Sequence, residues 1–387
     1  MLIENLELGL GRTKTLVFWE PTASPHKMEF FSSLAMTLPM IEVVVIADRS
    51  VSEERRALGW QSADVTAYTL VLNPDKNQVE DLVRESNKNC LHVLSGFRNV
   101  KTNVWAMRAV KKYKRRFALM QEPRSSEGIA GLLRFVQSWM TERWIRSNVE
   151  VVLAIGANGP RWFKRTGYKP DKVFPFAYFV MPKIAQNQQR SESGVSVGFL
   201  GRIVREKGVF DLIRACAMLP FRYELSIAGV GNDLGRVEQL AKSLGVAYKY
   251  HGVVKMNDVG DYLASLDVLV LASLTDKDGW GVVVSEALMA GVAVVVSGKV
   301  GASLAVVDPA LGEVVDHGAS GQIASSIGRL KDMRSNSSRE LRQRWAVSAL
   351  SADAGSRYFA KILGWLESEC LSERPQCFCN GNVRSRG

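Results

Sequence analysis

Apolar, β-branched runs recur along this chain, and segments of helical period separate them. In the first half the apolar runs cover residues 14–20, 41–47, 65–72, 91–95, 116–121 and 149–155. Stretches such as IEVVVIA (41–47) are nearly continuous rather than alternating, the pattern of a parallel strand covered on both faces. Residues 26–37, 78–86 and 104–113 between them have helical period. A second series begins at Val195, with strands expected at 195–200, 223–228, 247–250, 268–272 and 292–296. Its helices are expected from Glu206-Lys207-Gly208 to about Met218, over 233–244 and over 282–290.

Strands separated by helix-length segments imply βαβ units and parallel sheets. The expected class is α/β, with two Rossmann-like domains. Between the two series, residues 175–193 turn from aromatic to Pro, Gln and charge without period, which reads as a linker. Domains are therefore expected at 1–180 and 181–350, followed by a C-terminal segment, 351–387. Within that segment Gly355, Tyr358, Phe359, Ile362 and Trp365 recur at helical spacing and form one packing face. Residues after Glu367 read as a frayed tail.

Composition narrows the class. The chain has 387 residues, 47% hydrophobic and 23% charged, enough for two cored domains. No apolar run is long enough to span a bilayer. The opening MLIENLELGLGRTK lacks a basic-then-apolar pattern, so a cytoplasmic protein is the expectation. Fifty Lys and Arg against 39 Asp and Glu give a formal charge of +11. That suits nucleotides, nucleic acid or an anionic membrane face, or serves solubility alone. No nucleic-acid reading motif accompanies it. Cys90 and Cys216 read as buried thiols. Cys370, Cys377 and Cys379 lack a familiar zinc spacing, and no metal site is expected.

Candidate chemistry follows from strand-end loops, because ligands of parallel sheets sit beyond the carboxyl ends of strands. In the first half these loops are 21–26, 95–98 and 122–126. His26 opens a helix there and suits either substrate contact or capping. Glu122 ends a strand and suits either positioning an acceptor hydroxyl or a helix-flanking role. Arg124 beside it suits an anionic group on an acceptor. Residues 132–146, LLRFVQSWMTERWIR, are amphipathic and stand near the cationic run KKYKRR (111–116). Such a helix lies in a membrane interface or packs its apolar side on its own domain. In the second half, TDKDGWGVVVSEALMAGVAVVV (275–296) passes from an acidic glycine loop into a helix and then a buried strand. It carries Asp278 on the loop and Glu286 on the helix. A dinucleotide fingerprint is absent, since position 234 is Leu, and there is no P-loop.

Residues 195–330 resemble the retaining glycosyltransferases of family 4, of the two-Rossmann-domain GT-B type, and the first half does so more loosely. Four motifs carry the resemblance: GFLGRIVREKGVFDLIRA (198–215), IAGVGND (227–233), YHGVV (250–254) and the 275–296 stretch. It implies that Arg202 and Lys207, after Gly201, hold the donor's diphosphate. Gly229 and Gly231 would let the backbone approach the nucleotide, and His251 and Val253 would lie at the base. Asp278 and Glu286 stand where an E-x7-E pair is usual, with Gly279, Trp280, Gly281 and Val282 between or beside them. Asp278 is one methylene shorter than the usual glutamate. The implied protein uses a nucleotide-sugar donor and a saccharide or lipid-linked acceptor, needs no metal, and works at the inner face of a membrane in surface-polysaccharide or lipopolysaccharide assembly. His26 and Glu122 stand in for an acceptor-side histidine that is not evident. The rival readings are a non-catalytic nucleotide-sugar-binding subunit and a GT-B epimerase or phosphorylase.

Overall fold

The computed structural model describes residues 12–51, 53, 66–183, 185, 194–367 and 373–379. The first domain holds β1 (Thr15–Glu20), α1 (Pro25–Thr37), β2 (Glu42–Ala47), β3 (Thr69–Leu72), α2 (Lys76–Glu85), β4 (Cys90–Leu94) and α3 (Lys101–Lys112). It continues through β5 (Arg116–Gln121), α4 (Gly128–Thr141), α5 (Arg143–Asn148), β6 (Val152–Ile155), α6 (Gly159–Arg165) and β7 (Val173–Phe176). Its seven strands are parallel, in the order β3-β2-β1-β4-β5-β6-β7. All five residues of β4 are buried, as a strand covered on both faces requires.

The second domain holds β8 (Val195–Leu200), α7 (Val209–Cys216), β9 (Tyr223–Ala228), α8 (Leu234–Ser243), β10 (Lys249–Gly252), α9 (Val259–Ala264) and β11 (Val268–Leu271). After β11 come α10 (Val282–Met289), β12 (Ala293–Ser297), β13 (Gly312–Val315), α11 (Ser320–Leu330) and α12 (Asn336–Leu350). Its six strands are parallel too, in the order β10-β9-β8-β11-β12-β13.

The last helix, α13 (Ala352–Glu367), returns to the first domain and lies along α1. Ser33 Oγ donates to Asp353 at 2.6 Å, and Phe18, Phe30 and Phe31 form one aromatic cluster with Phe359. The Glu367 carboxylate accepts from Thr13 N at 2.9 Å and from Arg116 at 3.0 Å. The chain leaves the first domain and re-enters it at one place. Val180 pairs with Ser351 there, Val180 N donating to Leu350 O and Ala352 N to Val180 O.

The structure differs from the sequence reading at several points. The expected strand at 65–72 is confined to Thr69–Leu72, and its first residue lies outside the described residues. The expected linker at 175–193 begins inside β7, whose Pro175 concealed the strand. Proline is tolerated there because β7 is the edge of the sheet. The rest of that linker, 184 and 186–193, is outside the described residues. Helices α6, α9 and α11 and strand β13 were not anticipated. The amphipathic 132–146 run is two helices, broken at Glu142, whose carboxylate is held by Arg98 at 2.7 Å and by the Tyr168 hydroxyl at 2.8 Å.

The largest correction concerns the tail. Cys370 lies outside the described residues, but 373–379 are packed rather than frayed. Phe378 meets Phe179 at 5.1 Å, Tyr358 at 5.8 Å and Trp280 at 6.3 Å between ring centroids. Arg374 covers the Phe174 ring at 4.2 Å. Cys90, Cys216 and Cys379 are buried free thiols, and Cys377 is a half-buried one.

Candidate active site between two sheet switch points

Each sheet has a place where its strand order reverses, and a crevice opens there beyond the strand ends. In the second sheet this place is between β8 and β11. The loop after β8 carries Gly201, Arg202 and Lys207; the loop after β11 carries Asp278 to Gly281. Gly208 brings the two together. Its φ is +77°, and a Cβ there would collide with the carbonyl of Ala272 at the end of β11. Lys207 Nζ consequently makes an ion pair with Asp278, which also accepts from the Ser273 hydroxyl. Burial, and then the neighbouring Arg202 charge, pull the Lys207 ammonium down to about 8, while the Glu206 carboxylate opposes them. A second pair, Lys277 with Glu206 at 2.6 Å, lies on the exposed rim.

Glu286 sits in α10, 6% exposed. Burial raises its carboxyl to about 7, with Lys183 opposing and Glu29 reinforcing the shift. Those two charges are themselves paired, Lys183 with Glu29 at 3.3 Å. Gly281 caps α10, ahead of Val282. Gly229 and Gly231 lie against the backbone of Gly201 and Ile203. Val253 is exposed just beyond β10, and His251 is exposed within that strand, its ring meeting Tyr262 at 5.2 Å. Trp280 differs from its expected role: its ring is 1% exposed and its Nε1 donates to Ser285 at 2.9 Å. The side chain belongs to the core, and its carbonyl accepts from Ala302 N at 2.7 Å.

The first sheet reverses between β1 and β4. A cavity of about 520 Å³ opens there, lined among others by Lys27, Arg98, Gln121, Glu122, Arg124 and Tyr178. Glu122 accepts from the Tyr178 hydroxyl at 2.6 Å. Burial and Glu122 push that phenol well above its ordinary value. The Glu122 carboxylate also lies against Gly279 of the other domain, where a Cβ would overlap it. The cavity wall and the second domain's acidic loop therefore meet. His26, half-buried on the first turn of α1, is not among the lining residues, whereas Lys27 is.

Asp276 and Asp278 do not converge. Asp276 accepts from Ser126 N of the first domain at 3.0 Å, while Asp278 faces Lys207. Among the described residues no group of three His, Cys, Asp or Glu is placed to hold a metal ion. The sequence reading missed Lys27, Arg98 and Tyr178 as lining residues. Arg98 stood in a loop marked as cleft-facing and Lys27 followed His26, but nothing in the sequence pointed to Tyr178.

The family model for glycosyl transferases group 1 matches residues 180–350. Those residues form a glycosyl transferases group 1 domain. The group 1 domain contains all four motifs described above, and the Lys207–Asp278 pair lies at its switch point. An uncharacterized glycosyltransferase of Methanocaldococcus jannaschii is 37% identical over 103 residues, 26% of each chain. The lipopolysaccharide core biosynthesis glycosyltransferase LpsE of Rhizobium meliloti is 31% identical over 131 residues, 34% of this chain and 38% of LpsE. The matched stretches thus span well under half of these relatives. Anabaena HepE in complex with UDP has the same fold, with a TM-score of 0.68 over 91% of this chain and all of that one, at 14% identity. The group 1 domain and the sheet that precedes it together make a GT-B architecture.

Proposed function

We propose that this protein is a retaining glycosyltransferase. It moves a sugar from a nucleotide-sugar donor to a saccharide or lipid-linked saccharide in surface-polysaccharide or lipopolysaccharide assembly. The observation that carries the reading is the meeting of two crevices: Arg202 and Lys207 on one side, Glu122 on the other, with Gly279 in contact between them. In this reading Arg202 and Lys207 hold the diphosphate and stabilise the charge that grows on it as the sugar leaves. The partly depressed ammonium of Lys207 is restored to full charge by that phosphate. Glu286 accepts from donor hydroxyls, and Glu122 orients the acceptor hydroxyl. The leaving phosphate takes the acceptor's proton on the same face, so configuration is kept without a protein nucleophile. Cationic side chains fill the role a metal ion takes in other transferases.

A membrane face is part of the proposal. Helix α4 exposes Ile129 (81%), Leu132, Leu133, Val136, Trp139 (57%) and Met140, while only Gly131 and Ser138 of the helix are buried. The alternative, that this stretch packs its apolar side on its own domain, holds only for Phe135, Trp144 and Ile145. An apolar helix face flanked by arginines suits an anionic bilayer interface. Among the described residues no helix is long and apolar enough to cross a membrane.

The test is a panel of nucleotide sugars offered to the purified protein, read first by melting temperature and then by product. A donor that stabilises wild type but not Lys207→Ala, and whose sugar appears in product with its configuration kept, supports the reading. Stabilisation without turnover for any acceptor supports the binding-subunit reading instead. If no nucleotide sugar stabilises the protein, both fail.

A further inference from the structure

The cavity at the β1–β4 switch point is richer in positive charge than a neutral sugar needs. Four cations line it: Lys27, Arg98, Arg124 and Arg134. Two are neutralised locally. Lys27 pairs with Glu20 at 2.6 Å, and Arg98 pairs with Glu142 at 2.7 Å. The lining carboxylate Glu122 is occupied by Tyr178. Arg124 and Arg134 remain. Arg124 donates to the Arg134 carbonyl at 3.2 Å and to Ser138 Oγ at 3.0 Å, and Arg134 donates to the Ser125 carbonyl at 3.3 Å. Among the described residues neither has a carboxylate at salt-bridge distance. Burial, then Arg98 and Arg134, depress the Arg124 guanidinium, with Glu142 opposing. The same cavity wall holds two buried polar atoms without a hydrogen-bond partner, Nε of Arg98 and Oε1 of Gln121. A buried group left unpaired loses its water without gaining a partner, so an unfilled donor beside two uncompensated guanidinium groups points to an occupant.

We propose that this cavity binds an anionic group, a phosphate or carboxylate carried by the acceptor saccharide, with Arg124 and Arg134 as its recognition residues. The assignment to an acceptor rests on the transferase reading, because Glu122 borders both this cavity and the donor loop at Gly279. Guanidinium groups suit the ligand, since their planar donors match carboxylate and phosphate oxygens two at a time. Gln121 Oε1 accepts, so it reads a hydroxyl next to the anion rather than the anion itself. The acceptor is then a charged sugar, and neutral sugars of the same shape bind poorly.

The experiment uses the full chain with UDP at saturating concentration, so that the other crevice is filled. Inorganic phosphate and acetate are titrated calorimetrically against chloride at constant ionic strength. Wild type is expected to bind phosphate, acetate or both at least tenfold more tightly than chloride, and the stronger of the two names the acceptor's group. Arg124→Gln and Arg134→Gln are expected to lose that preference while keeping the wild-type melting temperature. Arg124→Lys keeps charge but loses the fork, and falls between. No preference over chloride overturns the proposal, and so does a preference that survives both Gln variants. A third arm measures sedimentation with phosphatidylglycerol vesicles. Unchanged vesicle binding in Arg124→Gln assigns the anion to the acceptor; a parallel loss assigns it to a lipid headgroup and overturns the acceptor claim. If no nucleotide of the donor panel binds, the transferase reading fails, while the phosphate titration of the cavity still stands as measured.

Discussion

The two switch-point crevices are built alike and charged differently. Each lies where a parallel sheet reverses its strand order, and each carries cations on its loops. In the second domain two cations are answered from within, Asp278 lying on Lys207 and Glu206 on Lys277, while Arg202 has no carboxylate at salt-bridge distance among the described residues. In the first domain two of four lining cations have no acidic partner among the described residues. The difference teaches that strand topology fixes where ligands go, while the local balance of charge fixes what state the empty crevice rests in. One crevice holds a carboxylate that, in the proposed reading, a donor's phosphate displaces. The other is left open.

Breaking the closed crevice should have the largest consequence. Lys207→Ala is expected to lower kcat/KM for sugar transfer by about 10²–10³-fold with an unchanged melting temperature, because a charged donor to a developing phosphate charge is removed. Retained turnover would remove Lys207 from the chemistry. Glu286→Gln comes next and is read through stability. The Glu286 carboxyl is raised to about 7 in the folded chain, against an ordinary 4.5. Between those values the unfolded chain gives up this proton before the folded one, so stability falls as pH rises from 4.5 to about 7, then levels. That loss is on the order of 3 kcal/mol, and Glu286→Gln should abolish it. Urea titrations of both proteins at pH 5 and pH 8 measure it; equal slopes would place the carboxylate in contact with solvent.

Two smaller effects sharpen the contrast. Leu132→Asp with Trp139→Asp should weaken sedimentation with anionic vesicles about 100-fold, as expected for two apolar side chains that no longer enter a bilayer. Both residues are exposed, so the fold should survive, and unaltered vesicle binding would reject α4 as the contact. Asp278→Asn should tighten UDP about three- to tenfold, the worth of a partly buried ion pair that no longer has to be opened. If the same variant slows transfer despite tighter UDP, Asp278 both restrains Lys207 and reads the sugar.

Much of this arrangement was legible in the sequence, for physical reasons. Unbroken runs such as Ile41–Ala47 permit little besides a covered parallel strand, and the glycine-bounded motifs after β8 and β11 marked those strand ends as ligand-facing. What was hidden depended on tertiary partners. Pro175 reads as a breaker until β7 is known to be an edge strand. Trp280 sits in the middle of the acidic loop, yet Ser285 and Phe378 draw its ring into the core. Phe378 itself lies in a polar tail whose short-range pattern predicts fraying, and its aromatic contacts with Phe179, Tyr358 and Trp280 are what pack it. The pairing of Asp278 with Lys207 joins two loops that are 71 residues apart in the chain, a proximity set by sheet order rather than by motif.

The double crossing between the domains has a mechanical consequence. The outgoing strand at Val180 and the returning strand at Ser351 are bonded to each other, with hydrogen bonds of 3.4 and 3.1 Å. Two connections fastened side by side act as a door hinge. Swinging about their common line needs only small torsions in a few residues, whereas twisting or sliding must break those bonds. Any opening of the second domain would therefore follow one arc, and closure would return Gly279 to the same place beside Glu122.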